Sequence, residues 1–556
     1  MKNIGIYISI FITLSGMNTA FGQYQGVFES KQMKLDGLNI STLISNRGIF
    51  NQDITMNNFP GLEWPKGGMK YALFTSGITI ATYINNSLKM ASNSWTGEYR
   101  PGYIQHENGT PTPFTDERFR IYKITKNDNC NNSTDWIEWE KMIPFGAPYT
   151  DRNNNCSYEP CIDIPGVEHS YQTVFVHLTD GFIESHTASE GFGGGTSPVF
   201  AEMIITAWTY WELRDVQYFK FTIINKNDTP WTKTRIALMS DTDLGDASDD
   251  FIGCDTLMNL GISYNSDNYD GFGGIISYGL NPPSSGQRIL KAKLNDVNYS
   301  KLLTSFIRMN NTGSGQITCE REPANLIEAV NFMNGLKNDS TPFLNPTTFQ
   351  PVKLIYPGDP DLFTGWSERG TDGDSSIGNV LNCNGNLTGQ VAPGIPANKR
   401  YVMGIGPFGF NMNPMDTLTI YMSQMVAKGS NNFNAVTKLK QLSDQSQRVF
   451  DYFYNEDYCE ASNIISIPPT GFYLSDNYPN PFNPATRINY GLPIDFKLEI
   501  TVYDIAGNEV AKLFDGVQKA GNYTLEFNGK NLASGIYFLK MKSGAFIVTR
   551  KMMLLK

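Results

Sequence analysis

Short runs in which apolar and polar residues alternate, separated by glycine-containing turns, fill the last part of the chain. KLEITVYD places Leu498, Ile500 and Val502 on one face, and NYTLEFNG alternates in the same way. Turn residues such as Ala520-Gly521-Asn522 stand between such runs. A period of two is the pattern of half-buried strands rather than helices. The spacing therefore predicts a small antiparallel β-sandwich over residues 473–556, with roughly six or seven strands.

The segment before these runs is dense in proline and asparagine. NYPNPFNP begins at residue 477 and leads into the first alternating run. Each proline fixes its own φ and biases the residue before it towards extended backbone. The composition predicts an irregular, stiff linker over residues 460–484, which overlaps the start of the sandwich.

The N-terminal sequence MKNIGIYISIFITLSGMNTAFGQ has one early cation, Lys2, then an apolar run and small residues near Gly22. This order is typical of a secretory signal peptide, which we expect over residues 1–22. A retained membrane anchor is the alternative. No later run approaches the roughly 18 apolar residues of a membrane-spanning helix, so we expect no transmembrane segment in the mature chain.

Four blocks near the C-terminus follow one another in a fixed order: NYPNPFNP, VYDIAGNEV, LASGIYFLKMKSG and TRKMMLLK. Together they resemble the type A C-terminal sorting domain of type IX secretion cargo, over residues 473–556. The resemblance implies an immunoglobulin-like sandwich that the outer-membrane translocon recognises. It also implies export to the cell surface or the medium, with surface lipopolysaccharide or glycans as candidate partners. An ordinary immunoglobulin-like module on a proline linker is the alternative.

The delivered (cargo) region, residues 23–459, is expected to be mainly β. The 556-residue chain exceeds what one core usually holds, and its 51 glycines and 29 prolines favour short strands joined by turns. We therefore expect a multi-domain β-sandwich cargo of two or more subdomains with a few helices. The net charge of −10 argues against a nucleic-acid partner. The block FTIINKND…SDTDLGDASDDFIGCDT…NLG resembles uncharacterised secreted proteins that carry the same sorting domain.

Two patterns in the cargo predict specific elements. QYFKFTIINKNDTPWTKTRIALMS alternates on both sides of the turn residues 227–230, which predicts a β-hairpin. NAVTKLKQLSDQSQRVFDYFY has an apolar stripe at helical spacing, which predicts an amphipathic helix with Asn434 as its N-cap. PANLIEAVNFMNGLKN predicts a second helix.

The segment DTDLGDASDDFIGCD, residues 241–255, is strongly acidic and contains no basic residue. Carboxylates held this close repel one another unless the fold neutralises, separates or solvates them. Calcium takes about six to eight oxygen ligands in a flexible shell, so we predict calcium as a cofactor, although the spacing is not that of an EF-hand loop. A solvated acidic turn and a pair of catalytic carboxylates are the alternatives. The candidate ligands are Asp241, Asp243, Asp246, Asp249, Asp250 and Asp255.

The segment DRNNNCSYEPCID, residues 151–163, is a weaker calcium candidate. Cys156 stands where a calcium loop needs glycine, and the last carboxylate comes one residue late. We therefore favour a disulfide-stapled loop without metal over calcium here, with Cys156 and Cys161 as the predicted pair, because an exported protein permits disulfides. The candidate ligands are Asp151, Asn153, Asn155 and Asp163.

The sequence contains no H-E-x-x-H or G-x-S-x-G motif, so we assign no catalytic or cofactor-binding residue. We expect the cargo to be a structural or binding, adhesin-like surface protein. A secreted hydrolase that acts on polysaccharide through carboxylates of residues 241–255 is one alternative. A carbohydrate-binding protein without catalysis, which would need exposed aromatic rings, is the other.

Overall fold

The structure is a computed structural model. It describes residues 28–56, 59–104, 111–153, 155, 157–271, 276–310, 318–375, 394–454, 472–477, 479–492, 496–519, 521–544 and 546–556. Strands take 46% and helices 12%, which confirms the mainly β prediction. Within these ranges, no helix is both long and apolar enough to cross a membrane. The predicted signal peptide, residues 1–22, lies outside the described residues.

The elements follow in chain order. The first strands are β1 (Gln32–Asp36), β2 (Ser41–Ser45), β3 (Gln52–Asp53), β4 (Phe59–Pro60), β5 (Leu62–Glu63), β6 (Tyr71–Leu73), β7 (Thr75–Ile84), β8 (Ser87–Ala91), β9 (Arg100–Pro101), β10 (Tyr122–Thr125), β11 (Tyr149–Thr150), β12 (Ile164–Pro165) and β13 (Gln172–Thr179). The next are β14 (Ala201–Thr209), β15 (Val216–Asn225), β16 (Trp231–Asp241), β17 (Asp250–Asp255), β18 (Leu260–Asn265), β19 (Tyr269–Asp270), β20 (Gly279–Leu280), β21 (Ser284–Leu294), β22 (Val297–Asn298), β23 (Leu303–Asn310), β24 (Phe343–Leu344), β25 (Pro351–Val352), β26 (Trp366–Ser367), β27 (Gly370–Thr371), β28 (Lys399–Met412) and β29 (Thr417–Ala427). The C-terminal strands are β30 (Tyr473–Leu474), β31 (Ala485–Leu492), β32 (Phe496–Tyr503), β33 (Glu509–Gln518), β34 (Gly521–Asn528), β35 (Gly535–Ser543) and β36 (Phe546–Leu554). The α-helices are α1 (Thr134–Glu138), α2 (Leu326–Met333) and α3 (Asn432–Phe453), and short 3-10 helices include Trp139–Phe145 and Ala247–Asp249.

Two large antiparallel sheets share the main core of the cargo. One runs β10-β13-β14-β15-β29-β21-β18-β17, with β9 and β22 added at its margins, and the other runs β23-β28-β16-β7-β8. Apolar side chains of both sheets, such as Phe221 of β15 and Leu238 of β16, belong to one continuous buried cluster. Burying one face of each sheet against the other is the arrangement of a β-sandwich.

The second face of the larger sheet is also covered. Helix α3 lies over one part of it, where Val436, Leu439 and Phe450 join a buried cluster with Trp208 and Tyr421. Another part is covered by the segment that holds α1 and the following 3-10 helix, through a smaller buried cluster. Both faces of the central strands are therefore buried.

The predicted helix before the sorting domain is present as α3, but its N-cap is not Asn434. The Asn431 side chain accepts a hydrogen bond from the Asn434 backbone N–H, which makes Asn431 the N-cap. Asn434 instead lies in the first turn and donates from its side chain to Asp361 at 3.0 Å. Several asparagines in a row all suit this position, so composition alone placed the cap three residues late.

The predicted hairpin within residues 216–241 is wrong in its pairing. Both strands form, as β15 and β16, but β15 pairs with β14 and β29, whereas β16 pairs with β28 and β7. The turn therefore carries the chain from one sheet of the sandwich to the other. The alternating residues on the two strands still face a common core, and alternation cannot distinguish this arrangement from a hairpin.

A buried network of uncharged side chains lies between the two sheets. The Gln287 side-chain oxygen accepts hydrogen bonds from Tyr401 at 2.7 Å and Ser240 at 2.8 Å. Gln424 donates to Asn51 at 3.0 Å and to a second glutamine at 2.8 Å. Leaving such a group unpaired inside a protein costs roughly 1–3 kcal/mol, so these bonds favour one register of the two sheets.

The C-terminal region forms the predicted small sandwich, with seven strands. A three-stranded sheet, β30-β31-β34, and a four-stranded sheet, β33-β32-β35-β36, enclose a separate buried core. Leu498, Ile500 and Val502 are each fully buried, as their alternation predicts.

The proline-rich block is part of this sandwich, so the predicted linker over residues 460–484 extends too far. Phe482 is only 1% exposed, and its backbone N–H donates to the Met553 carbonyl at 2.9 Å. The Leu555 N–H donates back to the Phe482 carbonyl at 3.0 Å. Asn480 binds the same end of β36, because its side-chain oxygen accepts a hydrogen bond from the Met553 N–H at 2.9 Å. The block therefore runs beside the end of β36, and residues 460–471 of the predicted linker lie outside the described residues.

Candidate functional site

The acidic segment 241–255 connects two strands of different sheets. It leaves β16 at Asp241, passes through the 3-10 helix Ala247–Asp249 and enters β17 at Asp250. Asp241 is 2% exposed and Asp250 is fully buried, so the segment is not simply a solvated turn. The structure divides the six predicted aspartates among separate environments.

Asp241 and Asp243 form a carboxyl pair beside Arg400. Arg400 Nε donates to Asp241 Oδ2 at 2.9 Å, and Trp95 Nε1 donates to the same oxygen at 3.2 Å. The Asn398 side chain donates to Asp243 Oδ1 at 3.0 Å. Burial, and then the nearby Asp241 charge, raise the pKa of Asp243 to about 8. Burial also raises the pKa of Asp241, and the charge of Arg400 opposes that shift.

Asp250 and Asp255 have structural partners. Asp250 accepts from the Leu244 N–H at 3.0 Å, and burial raises its pKa well above the usual range. Asp255 forms an ion pair with Lys440 of helix α3 at 3.2 Å. These two carboxylates therefore anchor the loop and the helix rather than facing a common centre.

Asp246 and Asp249 come together with Asp270, a residue that the sequence analysis did not select. We call Asp246, Asp249 and Asp270 the three-aspartate cluster. The Asp246 N–H donates to Asp270 Oδ1 at 2.8 Å, and Asn265 donates from its side chain to Asp249 Oδ1 at 2.6 Å. Burial first, and then surrounding carboxylates, raise the pKa of Asp249 to about 7.

Two glycines make room for this cluster. Gly245 has a φ of +71°, and a Cβ built there would lie 2.0 Å from Asp270 Oδ2. Gly271 has a φ of +66°, and its Cβ would lie 2.8 Å from the Asp246 Cβ. Each glycine thus admits the aspartate of the opposite segment, since a side chain there would collide and strain the backbone. The mirrored pairs Gly245-Asp246 and Asp270-Gly271 are the sequence signal that could have identified Asp270.

The predicted calcium ligands do not form a ready metal site. Across the described residues, no three His, Cys, Asp or Glu side chains are grouped as a metal ion would require. Calcium binding by the acidic segment therefore stays a prediction.

The weaker calcium candidate, residues 151–163, is closed by its own hydrogen bonds. Asp163 is 1% exposed and accepts from the backbone N–H groups of Arg152 at 2.9 Å and Glu159 at 2.7 Å. The side chains of Asn153 and Asn155 both donate to Glu159 Oε2, and Asp151 accepts from the Asn155 N–H at 3.3 Å. Asp163 thus holds the base of the loop.

The predicted Cys156–Cys161 disulfide is wrong. Cys161 is bonded to Cys130, 31 residues earlier, with the two Cα atoms 5.4 Å apart. Cys156 lies outside the described residues. The pairing follows from packing that sequence proximity cannot show: Tyr158 donates from its hydroxyl to the Trp136 carbonyl at 3.0 Å, which brings the two loops together. We call residues 126–136 and 151–163 the stapled loops.

A cavity of about 470 Å³ lies beside the stapled loops. Its lining combines one tryptophan ring with apolar, charged and hydroxyl side chains. The lining residues are Ile124, Thr125, Lys126, Asp128, Trp136, Thr150, Arg152, Ile164, Pro165, Val167, Glu168, His169 and Ser170. We call this space the stapled-loop cavity.

An aromatic pair, formed by the exposed Trp211 and the half-buried Tyr171, contacts Lys126 of the cavity lining. Trp211 is 56% exposed, and its ring centre is 5.6 Å from that of Tyr171. Lys126, which lines the cavity, places its ammonium 4.6 Å from the Trp211 ring centre. Trp211 is the one exposed tryptophan of the eight in the chain, all of which the structure describes.

His186 is held between two buried carboxylates. His186 lies between Glu98 at 3.2 Å and Asp180 at 3.5 Å, with a side chain that is 1% exposed. Burial would lower the pKa of His186, but the two carboxylates raise it to about 10. His186 is therefore a buried cation that links the segment after β13 to the segment before β9.

Comparison with known proteins identifies the C-terminal sandwich. Residues 476–555 match the family described as the secretion system C-terminal sorting domain. No curated protein matches the sequence. Among solved structures, the chain aligns with a polysaccharide lyase at 7% identity and a TM-score of 0.24, covering 96% of this chain and 47% of that one. The chain thus spans about half of that protein, and a TM-score this low carries no argument about fold or activity.

Proposed function

We propose that this chain, type IX secretion cargo exported to the cell surface or the extracellular space through its C-terminal sorting domain, binds glycans there as an adhesin-like protein. The stapled-loop cavity and the aromatic pair of Trp211 and Tyr171 are the proposed binding site. The observation that carries the proposal is the exposure of Trp211, which lies beside Tyr171 and contacts Lys126 of the cavity lining.

The chemistry of the cavity suits a sugar. Aromatic rings offer an apolar face to the C–H groups of a sugar ring, while their polar edges tolerate water. Arg152, Glu168 and Ser170 supply charged and hydroxyl groups that can bond sugar hydroxyls. Ligand sites of this size commonly combine a ring surface with a few convergent polar groups. The Cys130–Cys161 bond holds the two loops together, which lowers the cost of ordering them on binding.

A polysaccharide hydrolase is the second candidate, and the carboxyl pair of Asp241 and Asp243 favours it. A pair of carboxyl groups can supply the acid and the base of glycoside hydrolysis. The pair ranks second because Asp241 is buried and bonded to Arg400. If the hydrolase proposal is right, the mature chain releases new reducing ends from a polysaccharide, and Asp243→Asn abolishes the release.

Binding of the purified mature chain to a panel of immobilised bacterial and algal polysaccharides tests the first proposal. Trp211→Ala should weaken binding to any recognised glycan at least tenfold, which corresponds to about 1.4 kcal/mol. Leu257→Ala is the matched control, because Leu257 is 92% exposed and belongs to a different loop. Unchanged affinity of Trp211→Ala, or no bound glycan on the panel, would contradict the proposal.

A further inference from the structure

Four cationic side chains lie together on the sheet β23-β28-β16-β7-β8, and we call Lys233, Arg235, Lys301 and Lys353 the basic patch. The three lysines are exposed and the arginine is half-buried. Burial lowers the pKa of Lys353, and the charges of Arg235 and Lys301 lower it further, so these three cations lie close enough to repel one another. None of the four forms an ion pair with a carboxylate of the described residues. The chain has 54 acidic and 44 basic residues, so a general lack of carboxylates does not explain why the basic patch is unpaired.

Neighbouring strands bring the four cations together. Lys233 and Arg235 belong to β16, which pairs with β28, and β28 pairs in turn with β23. Lys301 lies shortly before β23, and the Lys353 carbonyl accepts a hydrogen bond from the Phe306 N–H of β23 at 2.8 Å. Because adjacent strands are about 4.8 Å apart, the basic patch extends roughly 10 Å across three strands. A surface of this width suits an extended chain better than a single small ion.

A β-bulge places Lys233 at the surface. Between the pairs Thr232–Tyr83 and Arg235–Ala81, β16 has one residue more than β7. Lys233 has a φ of +51°, in the left-handed region that residues with a side chain rarely adopt. Bulges re-aim side chains and are frequent beside functional sites. The bulge therefore adds Lys233 to the exposed cations instead of extending the regular ladder.

Arg235 is held in place and still has a free donor group. Its Nε donates to Asn334 Oδ1, and its Nη1 donates to the Lys233 carbonyl at 2.6 Å. Its Nη2 bonds to none of the described residues. A guanidinium that is already fixed loses little further freedom when it binds an anionic group.

Two aromatic rings lie within the basic patch. The Lys353 ammonium is 3.7 Å from the ring centre of Phe408, which is 38% exposed. The Lys233 ammonium is 5.5 Å from the ring centre of the half-buried Tyr83. An aromatic ring offers an apolar face to the C–H groups of a sugar, and a cation beside it can pair with an acidic group on the same sugar.

We infer that the basic patch binds an acidic polysaccharide, one that carries uronate carboxylates or sulfate esters. Complementary charge requires an anionic partner, and the rings of Phe408 and Tyr83 favour a sugar chain over other polyanions. Export to the cell surface or the extracellular space brings the chain into contact with such polymers. No residue of the basic patch lines the stapled-loop cavity, so this second site does not depend on the glycan site proposed above.

Affinity electrophoresis of the purified mature chain through gels that contain alginate, dextran sulfate or neutral dextran tests the inference. Alginate supplies carboxylates and dextran sulfate supplies sulfate esters, so the gels distinguish the two kinds of acidic group. We expect at least one acidic polymer to retard the chain and dextran not to. The binding should weaken as salt is raised, because salt screens exposed charges.

Lys233→Gln combined with Lys353→Gln should weaken binding to the acidic polymer at least tenfold. Both side chains are exposed and neither donates a hydrogen bond to a described residue, so this double variant should melt at the temperature of the unmodified chain. Phe408→Ala should weaken binding severalfold and leave its salt dependence unchanged, because it removes a ring face and no charge.

Lys428→Gln combined with Lys438→Gln is the matched control, because it removes the same charge from exposed lysines at helix α3, which covers the other sheet. Its affinity should equal that of the unmodified chain. The inference is overturned if neither acidic polymer binds, if neutral dextran binds equally well, or if double-stranded DNA binds more tightly than both acidic polymers. It is equally overturned if the double variant at Lys233 and Lys353 keeps full affinity, or if the control loses affinity to the same degree.

Trp211→Ala separates the two proposed sites. Loss of acidic-polymer binding in Trp211→Ala, with none in the double variant at Lys233 and Lys353, would assign that binding to the stapled-loop cavity and overturn the inference. Failure of the basic patch leaves the proposal for Trp211 standing, because that proposal is tested on its own variant.

Discussion

The Cys130–Cys161 disulfide closes a loop with a sequence separation of 31 residues, and its removal has a calculable effect. In the chain-entropy description, a loop of this length stabilises the folded state by about 3.7 kcal/mol. A bridge between residues five apart, as the sequence analysis expected for Cys156 and Cys161, would contribute only about 2 kcal/mol. Cys130→Ser should therefore destabilise the stapled loops by up to about 3.7 kcal/mol.

Hydrogen exchange of the mature chain measures the stability of the stapled loops locally. The measurement does not assume that a large chain unfolds in one step. Amides of helix α1 and the 3-10 helix Trp139–Phe145 lie inside the closed loop. If they exchange by opening of the stapled loops, Cys130→Ser should speed their exchange by up to roughly 500-fold, since about 1.36 kcal/mol is a factor of ten. Amides of helix α3 should keep their rates.

Cys156→Ser is the matched control and should leave all these rates unchanged. Peptide mapping without reduction should recover a cross-linked pair that contains Cys130 and Cys161. Fast exchange in Cys156→Ser with normal exchange in Cys130→Ser would refute the reasoning. That result would instead support a disulfide between Cys156 and Cys161.

Three further predictions follow from buried contacts and from the sorting domain. Because the pKa of His186 is raised to about 10 from 6.5, its ion pairs stabilise the fold fully below pH 6.5 and are lost as pH rises through 10. The melting temperature of His186→Gln should therefore be lower than that of the unmodified chain at pH 6, and it should fall less between pH 7 and 10. An unchanged dependence of the melting temperature on pH would contradict this. Phe482→Ala should cost roughly 3–5 kcal/mol in unfolding of the sorting domain, whereas Val517→Ala, at a site 76% exposed, should cost little; equal denaturation midpoints would count against the packing described. Deleting residues 473–556 should retain the cargo in the periplasm, as immunoblots of cell fractions would show, and normal surface amounts would contradict delivery through this domain.

Local patterns in the sequence predicted local structure well. The alternation of Leu498, Ile500 and Val502 and the helical stripe that includes Val436 and Leu439 both correspond to buried faces in the structure. Such patterns depend only on the period with which side chains return to one face, so a single segment is enough to read them.

Contacts between distant segments were not predictable in this way. Asp241 pairs with Arg400, 159 positions away, and Asp246 meets Asp270 across 24 positions. The sequence analysis grouped six aspartates because they are neighbours in the chain, but the folded strands separate them and bring in Asp270 and Asn265 instead. Charge density predicted that this region needs neutralising, while the identity of the neutralising groups depends on strand pairing.

The same limit explains the two pairing errors. The turn at residues 227–230 has the composition of a hairpin turn, yet β15 and β16 belong to different sheets. Cys156 and Cys161 are close in sequence, yet Cys161 is bonded to Cys130. In both cases the local prediction was correct, a turn at residues 227–230 and a disulfide at Cys161, but tertiary packing determined the partner.

The backbone bonds between the proline-rich block and the end of β36 have a consequence for the timing of export. Phe482 is made early in the sorting domain, whereas Met553 and Leu555, which bond to it, are made more than 70 residues later. If a ribosome stalls before Met553, the proline-rich block lacks its hydrogen-bond partners at the end of β36, and Phe482 lacks the residues that bury it. Closure of this sandwich therefore reports that translation has passed the last strand, β36.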